Sequence, residues 1–352
     1  MVELGIIGLG KWASVLATAA ARSSQLRIVK GFGRSARSRD AFAAAHGIAC
    51  TDSAEDMLGD PAIKGVILTV PNELHLDYAL QCARAGKHVY IEKPITNGLA
   101  EARALERACA EAGVRVFIGH CAKLLNGVQQ MRQAMAAGEL GEICLIEGHF
   151  FNERALALTP EDWRWYQAKA PGGPLSQIAI HQLDVLRYLG GPVASIGASS
   201  ARRSPAGAEV EDQWVLNLQF DSGALGSVLS SWTAPGLFDV RVTGTRATMH
   251  YEIDQTRWAR AHELHQGASL TLRRNGQSPR DALAMAVEAS DMFQEELERF
   301  AQGVRGTPQP DFDAGYGIEI LGLVEAARRS DAAQGLRVNM RDFLAETDAR
   351  QP

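Results

Sequence analysis

Short apolar runs alternate with longer amphipathic stretches along the first 120 residues of the chain. The runs are rich in Val and Ile and are apolar at nearly every position, which is typical of strands buried on both faces. They predict strands at residues 2–7, 26–32, 65–70, 88–91 and 114–118, with helices at 11–22, 38–45, 73–85 and 98–112. Gly47, Gly86 and Gly113 follow three of these helices and are expected to cap their C-termini. The alternation predicts a doubly wound parallel sheet.

The pattern changes after about residue 120. A helix is predicted at 127–137, a strand at 142–151 and a helix at 176–189. Strand patterns separated by turn signals follow at 193–201, 211–220, 224–233, 238–244 and 247–253, and Asp221-Ser222-Gly223 is a hairpin signal. Two final helices are predicted at 281–302 and 313–330, and the last few residues are expected to be frayed. This part of the chain predicts an open-faced, mostly antiparallel sheet with helices on one face.

The length of 352 residues favours two domains, which we place at 1–120 and 121–352, with the last helices packing back toward the first domain. Apolar residues make up 46% of the chain and charged residues 22%, which indicates a folded globular protein. The net charge is −5 and no run of Lys and Arg exceeds two, so we expect neither nucleic-acid binding nor a polybasic membrane anchor.

Apolar stretches of about eight to ten residues are far short of the roughly 20 that a membrane helix needs. The N-terminus has no basic leader followed by an apolar block, so we expect no signal peptide. Five scattered cysteines without a C-x-x-C pair argue against a disulfide framework and a zinc site. They favour a reducing compartment, and we expect the protein to be cytoplasmic.

A glycine-rich turn joins the first predicted strand to the first predicted helix. It reads Gly8-Leu9-Gly10-Lys11-Trp12-Ala13, which fits the pattern G-x-G-x-x-G/A in the context that the pattern requires. Gly8 permits a tight turn, Gly10 lets the backbone approach a pyrophosphate, and Ala13 keeps the helix close to the strand. The free N–H groups of the helix N-terminus favour a phosphate. The turn therefore predicts dinucleotide binding, with a glycine-rich turn that binds nothing as the alternative.

The end of the second strand indicates which dinucleotide is preferred. An Asp or Glu there would accept hydrogen bonds from a ribose 2′-hydroxyl, but the position holds Gly33. Arg34, Ser35 and Arg37 follow, and their side chains suit a 2′-phosphate because guanidinium and hydroxyl groups both donate to phosphate oxygens. We therefore predict NADP(H) as the preferred cofactor, with NAD(H) possible. Alternatively, Arg34 and Arg37 are solvated charges at a helix start.

Two further motifs lie near the C-terminal ends of predicted parallel strands, the edge where doubly wound sheets bind ligands. The first contains Pro71, Asn72 and His75, and the second is Glu92-Lys93-Pro94. A lysine at this edge is able to donate a hydrogen bond to a substrate hydroxyl or to the cofactor. Taken alone, a solvated Lys93 is the simpler interpretation.

Together these segments resemble the glucose–fructose oxidoreductase, inositol dehydrogenase and MocA-like (Gfo/Idh/MocA) family. The family's T-P-N-x-x-H, A-G-K-H-V and E-K-P motifs are matched at residues 71–75, 85–89 and 92–94. Its G-G-G-x-L and H-x-x-D segments are similar to residues 172–175 and 181–184, and its closing helix and strand to residues 313–330 and 335–338. The resemblance covers nearly the whole chain and implies a Rossmann domain followed by an open-faced antiparallel sheet. Most members oxidise or reduce a secondary alcohol of a sugar, cyclitol or cyclic diol.

The resemblance also implies roles for individual residues. His181 matches the family's acid/base, and imidazoles ordinarily titrate near neutrality, as a base for a hydroxyl proton should. Lys93 would hydrogen-bond the reacting oxygen and stabilise its developing negative charge. We assign to the cofactor site Gly8, Gly10, Lys11, Trp12, Ala13, Arg34, Ser35, Arg37, Pro71, Asn72, His75, Glu92 and Lys93. We assign to the substrate site Lys93, His120, Lys123, Asn152, Trp163, Arg164, Tyr166, Gln177, His181 and Asp184.

Two positions depart from the family pattern. Many members carry an Asp four residues before the His, where this chain has Gln177, which is unable to take a proton. Asp184 lies three residues after His181 and either tunes it or is a buried structural carboxylate. After the sixth strand region, Lys123 stands where many members have an Arg, and it lacks the bidentate fork of a guanidinium. His120 is a candidate substrate contact or a buried residue at the strand end.

The predicted loop at 152–166 is a candidate wall of the substrate pocket. Trp163, Arg164 and Tyr166 suit stacking on a sugar face with polar contacts. Alternatively, Trp163 and Trp165 are ordinary core or subunit-interface aromatics. A metal is not expected, because His181-x-x-Asp184 has no third and fourth ligand at a supporting spacing.

We therefore interpret the chain as an NAD(P)-dependent oxidoreductase that transfers hydride between a nicotinamide and a secondary alcohol or ketone of a sugar, glycoside or cyclitol. A dihydrodiol or carboxylated cyclic-diol dehydrogenase is the alternative within enzymes. A non-catalytic dinucleotide-binding sensor is the alternative from another class. The second domain is expected to bind the substrate and, through the open face of its sheet, to form a homodimer or homotetramer.

Overall fold

The computed structural model describes residues 1–349, which form two compact units. The first unit joins Met1–His120 to Asp291–Leu321, and the second joins Cys121–Ser290 to the residues from Gly322 onward. The first unit is therefore built from two separate stretches of sequence. Residues 350–352, which belong to the predicted second domain and to its expected frayed end, lie outside the described residues.

A six-stranded, all-parallel sheet forms the centre of the first unit. Its strands are β1 (Val2–Ile7), β2 (Leu26–Phe32), β3 (Ala49–Thr51), β4 (Gly65–Leu68), β5 (His88–Glu92) and β6 (Val116–Gly119), in the spatial order β3-β2-β1-β4-β5-β6. The strand order reverses between β1 and β4, so the C-terminal ends of these two strands open a crevice. The predicted doubly wound sheet is confirmed.

Helices connect the parallel strands of the first unit. They are α1 (Lys11–Ala20), α2 (Ala36–His46), α3 (Ala54–Leu58), α4 (His75–Arg84) and α5 (Leu99–Glu111). Gly47, Gly86 and Gly113 each have φ +67°, the left-handed conformation expected where a helix ends. Periodicity did not reveal β3 and α3, because a strand of three residues and a helix of five are too short to show a period.

A nine-stranded sheet forms the centre of the second unit. Its strands are β7 (Ile143–Phe151), β8 (Val193–Ala201), β9 (Gln213–Phe220), β10 (Leu225–Ser231), β11 (Leu237–Gly244), β12 (Ala247–Ile253), β13 (Ser269–Arg274), β14 (Leu283–Met285) and β15 (Val338–Asn339). The spatial order is β14-β13-β12-β11-β7-β10-β9-β8-β15. Neighbouring strands are antiparallel except β7 and β10, which are parallel. The mostly antiparallel sheet is as predicted.

The two faces of this sheet differ in burial. Along β9, Trp214, Leu216, Leu218 and Phe220 are buried and alternate with more exposed residues. Helices α6 (Asn126–Ala136) and α7 (Ile180–Gly190) belong to this unit, and α7 packs on β7. The opposite face exposes Leu145, Val215 and Leu225, each by 42–47%, on neighbouring strands. One face of the sheet is therefore open in the single chain.

The C-terminal part of the chain contains α8 (Met292–Val304), α9 (Ala314–Ala332) and α10 (Met340–Ala349). The helix predicted at 281–302 is wrong in its first half, because α8 begins only at Met292. Pro279–Asp281 form a single 3-10 turn closed by a Ser278 capping box, and β14 then pairs with β13. The Asp291 side chain accepts hydrogen bonds from the N–H groups of Phe293 and Gln294, and this cap sets where α8 begins. The strands β13 and β14 and the helix α10 were not predicted.

Candidate functional site

The glycine-rich turn lies between β1 and α1. Gly8 has φ +92°, and a Cβ atom there would stand 2.8 Å from the Cγ1 of Val70. The Thr69 hydroxyl donates to the Gly8 carbonyl oxygen at 2.6 Å, which ties this turn to the end of β4. Position 8 therefore requires a glycine, both because its φ is positive and because a Cβ there would be too close to Val70.

Gly10 is the N-cap residue of α1 and faces open space. No atom lies within 4 Å of the position that its Cβ would take. Among the described residues, no side chain caps this helix N-terminus. Ala13 is fully buried, and Lys11 is exposed in the first turn. The backbone N–H groups at the start of α1 are therefore available to an anionic group, and this arrangement fits a pyrophosphate.

An open cleft, which we call the β1–β4 cleft, lies above these strand ends. It is lined by Ile7, Gly8, Leu9, Gly10, Phe32, Gly33, Arg34, Ser35, Ser38, Thr69, Val70, Pro71, Leu74 and Tyr78. Five residues of the predicted cofactor set are among them: Gly8, Gly10, Arg34, Ser35 and Pro71. The other predicted cofactor residues, Lys11, Trp12, Ala13, Arg37, Asn72, His75, Glu92 and Lys93, are not in this lining.

At Gly33, which follows β2, any side chain would require the neighbouring Leu9 side chain to shift. A Cβ at Gly33 would stand 3.0 Å from the Cδ1 of Leu9. Arg39 donates to the carbonyl oxygens of Gly33 at 2.8 Å and Arg34 at 3.1 Å, so it holds the turn that presents Arg34. Arg34, Ser35 and Arg37 are exposed, and the Ser35 hydroxyl caps α2 by accepting from the Ser38 N–H. Arg39 was not predicted, because its spacing in α2 matches no motif.

His75 connects the two motif-bearing loops. It is 1% exposed, its Nδ1 lies 2.9 Å from the Pro94 carbonyl oxygen, and its Nε2 lies 3.1 Å from that of Val70. Burial lowers the pKa of His75. The Asn72 side-chain amide donates to Asn97 at 3.1 Å and makes a second link between the same loops. Both residues therefore position the backbone beside Lys93.

Glu92 belongs to a buried network in the first unit. The Tyr90 hydroxyl donates to Glu92 Oε1 at 3.1 Å and also lies against the Glu296 carboxylate of α8. Burial raises the pKa of Glu92, opposed by the charge of Lys93 and by hydrogen bonds from Trp12 and Tyr90. Gly119 leaves room for this network, because a Cβ there would stand 2.4 Å from the Tyr90 hydroxyl. Tyr90 and Glu296 were not predicted, because the sequence pattern only places the first in a strand and the second on a helix.

His120 ends the first stretch of the first unit. Its side chain is fully buried, and its ring lies 6.1 Å from that of Tyr316, nearly perpendicular to it. This environment agrees with the alternative in which His120 is a buried residue at the strand end.

In the second unit, His181 lies in the first turn of α7 within an aromatic surround. It is 4% exposed, and its ring centroid lies 5.2 Å from Trp258 and 5.9 Å from Phe150. Gln177 is part of the π-helical turn Leu175–Ala179 that precedes α7. Such turns are frequent at functional sites because they change the direction of side chains along a helix. Trp258 was not predicted, since it follows a strand in a segment without periodicity.

Asp184 forms a buried ion pair with Lys123. Lys123 Nζ lies 2.9 Å from Asp184 Oδ1, and the two side chains are 1% and 0% exposed. The ion pair therefore joins Lys123 and Asp184, two residues that the sequence assigns to the substrate site. The pairing agrees with the alternative in which Asp184 is a buried structural carboxylate.

The loop after β7 carries the remaining predicted substrate residues. Trp163, Arg164 and Tyr166 are all half-buried, and the Arg164 guanidinium lies 4.2 Å from the centre of the Trp163 ring. The Tyr166 hydroxyl donates to the Pro160 carbonyl oxygen at 2.9 Å. Asn152 accepts a hydrogen bond from the Arg154 N–H through its side chain. The aromatic side chains are thus partly open in the single chain rather than part of its core.

Within residues 1–349, no group of three or more His, Cys, Asp or Glu side chains is placed to hold a metal ion. In the same part of the chain, no helix combines the length and the apolar character needed to cross a membrane.

Two family models match this chain. Residues 2–120 match the model of the oxidoreductase family with an NAD-binding Rossmann fold, and residues 128–250 match that of the GFO/IDH/MocA C-terminal domain.

The chain is 27% identical over 344 residues to 1,5-anhydro-D-fructose reductase of Ensifer adhaerens, covering 95% of this chain and 98% of that protein. It is 28% identical to scyllo-inositol 2-dehydrogenase (NAD(+)) of Bacillus subtilis, over 75% of each chain. A crystal structure of a provisionally named NADPH-dependent oxidoreductase from Desulfitobacterium hafniense superposes with a TM-score of 0.92 at 31% identity, covering 97% of this chain and 98% of that one.

The buried ion pair generates a stability prediction. Lys123→Met leaves the Asp184 carboxylate buried without its cation, so we expect the free energy of unfolding to fall by about 3–5 kcal/mol. Urea unfolding followed by circular dichroism measures the loss. The matched control is Arg329→Met, which breaks the half-exposed pair of Arg329 with Glu346 and should cost less than about 1 kcal/mol. Equal losses in the two variants would contradict the prediction.

Proposed function

The chain belongs to the Gfo/Idh/MocA family of oxidoreductases, and from that premise we propose that it transfers hydride between NADP(H) and a secondary alcohol or ketone of a sugar or cyclitol. The single observation that carries the proposal is the β1–β4 cleft, in which Gly8, Gly10 and the free N-terminus of α1 fit a pyrophosphate. The named relatives act on a sugar derivative and on a cyclitol, which supports this substrate class.

Two side chains of this protein take the chemical roles. The bound nicotinamide supplies the hydride acceptor or donor. His181, on a helix and held among aromatic rings, takes the hydroxyl proton during oxidation and returns it during reduction. The family resemblance gives Lys93 the role of a hydrogen-bond donor that stabilises negative charge on the reacting oxygen. His75 and Asn72 brace the loops on either side of Lys93, which limits its movement.

The preference for NADP(H) rests on the end of β2. Arg34 and Ser35 line the β1–β4 cleft, and the acidic side chain that would favour NAD(H) is replaced by Gly33. Arg39 fixes the carbonyl groups of this turn, so Arg34 is presented from a held backbone. Membership of the family does not decide between NAD(H) and NADP(H), since the relatives named above include an NAD(+) enzyme and an NADPH-dependent one.

We propose that the protein acts in a reducing compartment, the cytoplasm. All five of its cysteines are free thiols, and burial raises the pKa of Cys82 to about 12 and of Cys109 to about 11. Thiols so protonated are poor nucleophiles, so we assign them no part in the reaction.

Catalysis is tested with a panel of aldoses, glycosides, cyclitols and cyclic diols, in both directions. We expect His181→Ala to lower kcat by roughly 10²–10⁴-fold and Lys93→Met to lower it as well, because each removes a group acting on the reacting oxygen. Cofactor binding, followed by nucleotide fluorescence, should persist. His262→Ala, which changes an exposed histidine of the second unit, is the control. Turnover unaffected in both variants contradicts the proposal, and cofactor binding without turnover on any substrate favours the sensor.

Cofactor preference is tested by the ratio of the dissociation constants for NADP(H) and NAD(H). Arg34→Gln should weaken NADP(H) binding by roughly tenfold or more and leave NAD(H) binding nearly unchanged, because a charged hydrogen bond to the 2′-phosphate is lost. Arg37→Gln is the comparison, since Arg37 is also exposed but does not line the cleft. Tighter binding of NAD(H) by the unaltered protein would overturn the preference.

Oligomerisation follows from the open sheet face. Leu145, Val215 and Leu225 are exposed there, and the cross-strand pair of Glu147 with Arg241 gives the face both signs of charge, so a second copy fits it. We expect light scattering at micromolar concentration to show a homodimer or homotetramer, and Leu225→Glu to dissociate it. A monomer before any substitution would contradict the proposal.

A further inference from the structure

Trp258 lies at the centre of a cluster of aromatic rings that includes the candidate base, and the proposed reaction gives it no role. The centroid of its ring lies 5.2 Å from that of His181, 5.1 Å from that of Phe150 and 5.3 Å from that of Phe238. Phe150 and Phe238 also meet edge-on at 5.2 Å, and all four residues belong to the second unit. Ring contacts on several sides therefore hold the indole directly beside His181.

The members of this aromatic cluster differ in their access to solvent. His181 and Phe150 are each 4% exposed, and Phe238 is fully buried. Trp258 is half-buried, so part of its indole remains accessible in the single chain. Trp258 therefore carries the accessible apolar surface of the cluster.

Hydrogen bonds hold the segment that carries Trp258, which follows β12. The Asp254 side chain accepts from the Thr256 N–H at 3.0 Å and caps the 3-10 turn Gln255–Arg257. The Trp258 N–H donates to the Gln255 carbonyl oxygen at 3.1 Å. Because both the backbone and the ring are held, the indole has little conformational freedom to lose when a ligand contacts it.

The reacting hydroxyl of a substrate has to come close to His181. A general base takes a proton from a group that lies within about 2.6–3.2 Å of it. The substrate carbon is bonded to that hydroxyl, so the carbon skeleton lies against the residues that flank the imidazole. Two aromatic rings are recorded in contact with His181 among the described residues, and of these Phe150 is nearly fully buried while Trp258 is partly accessible. Trp258 is therefore the aromatic surface that a bound substrate meets beside the base.

We propose that Trp258 is a substrate contact, which packs against the C–H face of a ring-form sugar or cyclitol and sets a preference for such rings over open-chain polyols. The inference rests on the proposed function and narrows its substrate class by shape. In a ring whose hydroxyls are equatorial, the axial C–H groups form a flat apolar face, which suits the electron-rich face of an indole. Packing this face on Trp258 removes apolar surface from water and leaves the hydroxyls at the rim free for hydrogen bonds. An open-chain polyol has no fixed face and loses more conformational entropy on binding.

The test compares two ring-form probes, glucose and scyllo-inositol, with the open-chain probe glucitol. Steady-state kinetics with the full chain and saturating NADP⁺ gives kcat and KM, and calorimetric titration of the NADP(H)-bound protein gives Kd even without turnover. Trp258→Leu keeps an apolar side chain but removes the aromatic face. We expect this variant to raise KM and Kd for the ring-form probes by roughly five- to thirtyfold and to change those for glucitol by less than about twofold. We expect kcat to change less than KM, because the contact with the ring is present in the ground state as well as in the transition state.

Trp258→Phe is the conservative variant and should restore most of the affinity for the ring-form probes, because it keeps an aromatic ring at this position. It also reports the contact directly. A ring-form probe should change the tryptophan fluorescence of the unaltered protein, and the change should be smaller in Trp258→Phe. This result decides between the outcomes if Trp258→Leu fails to fold. The matched control is Trp165→Phe, which removes another half-buried tryptophan of the second unit and should leave both KM and the fluorescence change as they are.

An unchanged KM in Trp258→Leu, or an equal rise for ring-form and open-chain probes, would overturn the inference while the proposed oxidoreductase function stands. A fall in kcat for every probe at unchanged Kd would also overturn it, because that result makes Trp258 a support for His181 and not a substrate contact. Binding of a ring-form probe that weakens in Trp258→Leu supports the contact even where turnover, and with it the proposed function, fails. Failure of the unaltered NADP(H)-bound protein to bind either ring-form probe contradicts the inference.

Discussion

The close approach of the β1–α1 turn to the end of β4 is the constraint on which the first unit depends. Gly8 has a positive φ and lies where a Cβ would collide with Val70, so this turn closes only around a glycine. The Thr69 hydroxyl secures the contact from the other side. With the turn held there, α1 begins beside the strand end with its N–H groups free, and the cleft at the reversal of strand order takes its shape. The part of the cleft next to Gly8 and Gly10 therefore presents backbone groups rather than side chains.

Buried polar groups support both candidate catalytic residues. In the first unit, His75 spans two loops and Glu92 is enclosed by Trp12 and Tyr90, so the backbone around Lys93 is held by hydrogen bonds with little access to water. In the second unit, the ion pair of Asp184 with Lys123 lies one turn beyond His181. The charges of Lys123 and Asp184 are thus paired with each other inside the second unit.

The sequence predicted most of the fold because its signals are local. The β1 and β2 strands are continuous apolar runs, and Gly47, Gly86 and Gly113 mark helix ends through a backbone conformation that glycine adopts easily. The π-helical turn at Gln177 was not predicted, because it is a backbone irregularity without a sequence period. The start of α8 was not predicted either, because the helical pattern continues before Asp291, whose side chain caps the helix.

Pairings between distant residues lay beyond the sequence as well. Lys123 and Asp184 are 61 positions apart, and Tyr90 and Glu296 are 206 apart, so no spacing rule connects them. Without those partners, the sequence leaves two roles open for Asp184 and carries no signal for Glu296. The motif residues of the cleft were found because the phosphate-binding turn is contiguous, and Arg39 was missed because it acts through the carbonyl groups of its neighbours.

The discontinuity of the first unit has a consequence for synthesis. The Arg22 side chain bonds Asp291, the Trp12 ring meets Phe293 edge-on at 5.2 Å, and a Cβ at Gly65 would touch Phe300, so α8 covers surfaces made from the first third of the chain. These contacts have high sequence separation, and they form only after the ribosome has translated the intervening second unit. Until α8 is translated, the surface of the N-terminal stretch that α8 covers therefore remains exposed. A fragment that ends at residue 120 lacks this helix altogether. A boundary drawn by motif alone would cut the dinucleotide-binding unit in two.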